Sequence, residues 1–167
     1  MIYFSDYIKF ALLFAVLILV QITLISLISI SRLNISPDIV LLLVIYIGLS
    51  RGNIAGMISG FLAGLALDIL SGSFTGLSAL AYTVSGFVAG YFKRDPAEGG
   101  GKFSYVGIIF ICALICSFIF FAIYYQGSGL NLLDILLRYV LTTAAYTTVI
   151  GFMANLIFNK FDLKKSI

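Results

Sequence analysis

Residues 48–76 read GLSRGNIAGMISGFLAGLALDILSGSFTG, with a small or special residue at every fourth position: Gly48, Gly52, Gly56, Gly60, Gly64, Asp68, Gly72 and Gly76. Glycine is a poor helix former in water, so this run would break a soluble helix. In lipid the balance differs. Burying apolar surface gives helices no advantage over lipid tails, whereas small residues four apart let two backbones approach closely. The ladder therefore predicts helix-packing surface in a polytopic membrane protein. Steps of four advance about 40° on a 3.6-residue helix, so it is not one stripe. Gly56, Gly60, Gly64 and Asp68 share a broad face, on which Gly60 and Gly64 are expected to meet another helix while Ala63 points elsewhere. Ser50-Arg51-Gly52-Asn53 and Ser71-Gly72-Ser73 read as turns.

Composition agrees. Hydrophobic residues make up 62% of the 167 residues and charged residues 10%, far from the about 45–50% and 25% of soluble domains. One all-α membrane domain, 1–167, is expected. With no histidine, the commonest metal ligand and the usual general base near neutral pH are both missing. Cys112 and Cys116 are one helical turn apart in an apolar run, which is not a metal-binding spacing, and read as small packing residues. No motif calls for a cofactor, a metal or nucleic acid. With no histidine an HExxH motif is impossible, and the aspartates read as too near the surface for a paired-carboxylate protease.

Six helical segments are expected, at about 10–30, 37–49, 54–70, 74–92, 103–125 and 132–158. The first is long enough to cross a hydrocarbon core of about 30 Å. The second and third are short and read as a tight hairpin. Ser36 can cap the second helix, Pro37 suits its first turn and Asp38 meets its positive end. Six spans put both termini on one side. With that side cytoplasmic, Lys9, Arg51, Lys93, Arg94, Lys102, Lys160, Lys164 and Lys165 lie inside, against Arg32 and Arg138 outside, as the positive-inside rule requires.

On this topology Arg32, Asp38, Asp68, Asp134 and Arg138 all fall at outer helix ends. Asp134 and Arg138 are spaced to pair with each other. Asp68 stands near the C-terminal end of its helix, where the dipole disfavours an anion. It is expected to be held by Arg32 or Arg138, the alternative being contact with a ligand or partner. Thr142, Thr143, Thr147, Thr148 and Asn155 give the last helix a polar stripe, read as packing because no acid or base is expected at mid-membrane.

Pro37-Asp38 opening a short helix, then Gly56-x3-Gly60-Phe61-x2-Gly64-x3-Asp68 followed by Gly72 and Gly76, resembles the rod shape-determining MreD family. The resemblance covers the whole chain and is most specific over residues 37–90. It implies a non-catalytic scaffold of the bacterial cell-wall elongation complex in the cytoplasmic membrane, involved in rod shape and peptidoglycan synthesis. The implied partners are MreC, reached through transmembrane helix packing, and more widely MreB, RodA and a class B penicillin-binding protein. It also implies a fold similar to the substrate-binding subunits of energy-coupling-factor transporters. A vitamin-binding subunit of that kind is the alternative function, for which Asp38, Asp68, Asp134, Arg138, Tyr124, Tyr125 and Gln126 could line an outward pocket. The residues expected to matter for structure or partner contact are Pro37, Asp38, Gly56, Gly60, Phe61, Gly64, Asp68, Gly76 and Arg138.

Overall fold

The computed structural model describes residues 14, 16–23, 37–72, 74–93, 102–126, 133 and 135–162. The fold is all-α. Helical residues 16–23 belong to α1. They are followed by α2 (Ile39–Arg51), α3 (Asn53–Ser71), α4 (Leu77–Tyr91), α5 (Lys102–Tyr124), and a π-helical turn (Ile135–Val140) that runs straight into α6 (Leu141–Asp162). Three stretches, Asn53–Ser71, Tyr105–Tyr124 and Leu136–Ala154, are long and apolar enough to cross a membrane. Helices α2 and α4 are shorter, at 13 and 15 residues, or about 20 and 22 Å.

The shortest helix is the innermost. Val40, Leu41, Val44 and Ile45 of α2 are almost wholly buried. They share one core with Ile18 of α1, Ala63 and Leu67 of α3, Ala81, Tyr82 and Ala89 of α4, Ile109, Cys112 and Cys116 of α5, and Ala144 of α6. Both cysteines are free and buried, as packing residues should be. Alanines and glycines bring the backbones close, and the branched aliphatics of α2 fill the remaining space, which is how dispersion contacts accumulate where water plays no part.

Between α2 and α3 the interruption is a single residue, not a polar turn of four. Gly52 has φ 96°, a value that side-chain-bearing residues rarely adopt. Its amide donates to the Gly48 carbonyl at 2.8 Å and its carbonyl accepts from the Gly56 amide at 3.0 Å. The chain thus changes direction with its backbone hydrogen bonds retained, a requirement in lipid. Gly48 is accordingly helix interior and packs on α4.

The ladder is used up inside the chain. Helices α3 and α4 run antiparallel in direct backbone contact. A methyl group added at Gly56 would strike the Gly86 carbonyl, one at Gly60 the Tyr82 carbonyl, and one at Gly64 would lie 2.5 Å from Ala79 Cα. From the other side Gly86 meets the Gly56 carbonyl, and Gly90 meets the backbone of Asn53. Ala63 is only 3% exposed, which corrects the expectation that it points away. The side of α3 that points away carries Ile58, Phe61, Leu62 and Ile69, all exposed. A helix turns 100° per residue, so Ala63 stands beside Gly60 and Gly64 on the same broad face.

Candidate functional site

Two buried carboxylates organise the interior, and each caps a helix. Asp68, fully buried, sits in the last turn of α3 but serves the first turn of α4. Its Oδ2 accepts from the amides of Gly76 at 2.8 Å, Ser78 at 3.0 Å and Ala79 at 3.3 Å, and its Oδ1 accepts from Ser78 at 3.2 Å. These are orphan donors that every helix leaves at its start, and the α4 dipole adds a favourable positive end. Gly76, at φ 102°, turns the chain so that its own amide joins the set. The anion therefore meets the N-terminus of the next helix. Among the described residues no ion pair joins Asp68 to Arg138, which is exposed. Arg32 and Asp134 lie outside the described residues.

The second carboxylate, Asp38, is the N-cap of α2, its Oδ1 accepting from the Leu41 amide at 3.0 Å. Pro37 is buried just ahead of it, so the cap falls two residues later than a cap at Ser36 would. Three further helices converge here. The Tyr82 hydroxyl of α4 donates to both carboxylate oxygens, at 2.7 and 2.6 Å. From α1 the Gln21 amide nitrogen donates to Oδ1 at 3.1 Å, while its amide oxygen accepts from the Val40 amide at 2.7 Å. The Asp38 amide in turn donates to Thr147 Oγ1 of α6 at 3.1 Å. Gln21, Tyr82 and Thr147 are at most 4% exposed, and Asp38 is half-buried.

This centre lies deep in the bundle. Tyr82 packs against Gly60, near the middle of α3. One turn along α4, Ser85 Oγ donates to the Cys112 carbonyl at 3.3 Å, near the middle of α5. Thr147 lies near the middle of the π-helical turn and α6 taken together. Helix α2 begins here, and the acid that caps it stands beside Thr147 of the α6 threonine stripe. A helix start in a dry interior needs its amides satisfied by protein. Asp38, Gln21 and Thr147 supply the three acceptors for Leu41, Val40 and Asp38 itself.

Of the stripe, Thr147 is therefore part of the centre, Thr148 bonds back to the Ala144 carbonyl at 2.7 Å, and Thr142 is exposed. Thr143 Oγ1 is buried without a hydrogen-bond partner. Gln21 and Tyr82 were missed as site residues. The available signal for Gln21 was a lone amide midway along an apolar run, and for Tyr82 a tyrosine well inside a helix instead of at its end. Among the described residues no group of His, Cys, Asp or Glu could hold a metal.

The geometry can fix helices relative to one another. Compared with known proteins, residues 5–162 match the family model described as rod shape-determining protein MreD. No curated protein and no solved structure matches the chain.

Proposed function

The chain belongs to the MreD family of rod shape-determining proteins, and from that membership we propose that it is a non-catalytic scaffold of the cell-wall elongation complex in the bacterial cytoplasmic membrane. In this reading it binds MreC through its transmembrane helices, and through MreC the wider complex of MreB, RodA and a class B penicillin-binding protein. The family match over nearly the whole chain carries the proposal. The interior supports it: the glycine faces and both carboxylates serve internal packing, which makes a rigid bundle whose outer faces are aliphatic. Ile54, Ile58 and Leu62 of α3 and Leu80, Val84 and Phe87 of α4 are exposed, and such surfaces suit partner helices or lipid.

Both termini and the loop at 93–102 are cytoplasmic in this reading, on the strength of the basic-residue asymmetry. Single-cysteine labelling in a Cys112→Ser, Cys116→Ser background tests the orientation. Position 98 should be protected from an impermeant reagent applied outside, and labelling there would reverse it. The function is tested by crosslinking and affinity isolation from native membranes. Recovery of MreC with elongation proteins is the expected result. Recovery of an ATPase pair and a coupling subunit would instead support a transporter subunit.

A further inference from the structure

No further inference is drawn: the strongest candidate, the exposed aliphatic surface patch formed by Ile58 and Leu62 of α3 with Leu80 and Val84 of α4, carries nothing because nothing in the structure shows what covers it.

Discussion

The carboxylates of Asp68 and Asp38 have the same local task and differ in how they are supported. Each accepts the orphan amides of a helix start in a dry interior. Asp68 accepts from the amides of Gly76, Ser78 and Ala79, all within 11 residues of it. The α3–α4 hairpin that it closes is held along its length by backbone on backbone. Asp38 gathers side chains from three other helices, the farthest 109 residues away. The first region is local and steric, whereas the second is dispersed and polar. Damage to the first should therefore separate two neighbouring helices, and damage to the second should loosen the whole bundle.

The largest effect is expected at the steric seam. Gly56→Leu places a branched side chain where even a methyl group would collide with the Gly86 carbonyl. Overpacking a core costs about 1–3 kcal/mol when neighbours can yield, and backbone yields less. Accumulation of folded protein in membranes should be lost, while Leu62→Ala, at an exposed position, should accumulate normally. Equal accumulation of the two would break the seam half of the comparison.

Next comes the polar centre. Asp38→Ala strands the Tyr82 hydroxyl, the Gln21 amide and the Leu41 amide together, at about 1–3 kcal/mol for each buried donor left unsatisfied. Asp38→Asn can keep its oxygen toward Gln21 and Leu41 and turn its amide nitrogen to the Tyr82 hydroxyl, which can accept. It should therefore melt above Asp38→Ala, as followed by thermal unfolding in detergent. An Asp38→Asn variant no more stable than Asp38→Ala would show that the charge matters beyond its hydrogen bonds.

Asp68→Ala should cost less, about 1–2 kcal/mol, the range for loss of a helix cap. Asp68→Asn, which keeps one acceptor oxygen, should cost less still. Arg138→Asp should restore nothing to Asp68→Arg, because the two residues form no ion pair. Recovery in that double variant would reinstate the pairing that the sequence suggested.

The smallest effect separates two threonines one turn apart. Thr147→Val leaves the Asp38 amide unpaired, at about 1 kcal/mol or somewhat more. Thr143→Val removes a buried hydroxyl that already lacks a partner and should be neutral or stabilising. Unfolding midpoints of the two variants, measured side by side, check the sign. Equal losses would mean that the stripe acts as one unit.

By itself the sequence determined the class of protein, the number of helices and the meaning of the glycines. Those follow from one-dimensional quantities: apolar fraction, segment length and a four-residue period whose steric consequence holds in any close helix pair. It also put Asp38 at a helix N-terminus, picked out Asp68 as the charge needing explanation, and placed Gly60 and Gly64 against a neighbour. Tertiary structure alone decided which neighbour, and what each carboxylate does. Asp68 accepts from a set of backbone amides, which every residue but proline carries and which no residue type announces. The set of side chains around Asp38 depends on where a short helix begins relative to its neighbours, a relation between segments. Gln21, Tyr82 and Thr147 lie far apart along the chain and acquire a common role only when four helices bring them to one point, because the helix that starts there has no water to satisfy its amides.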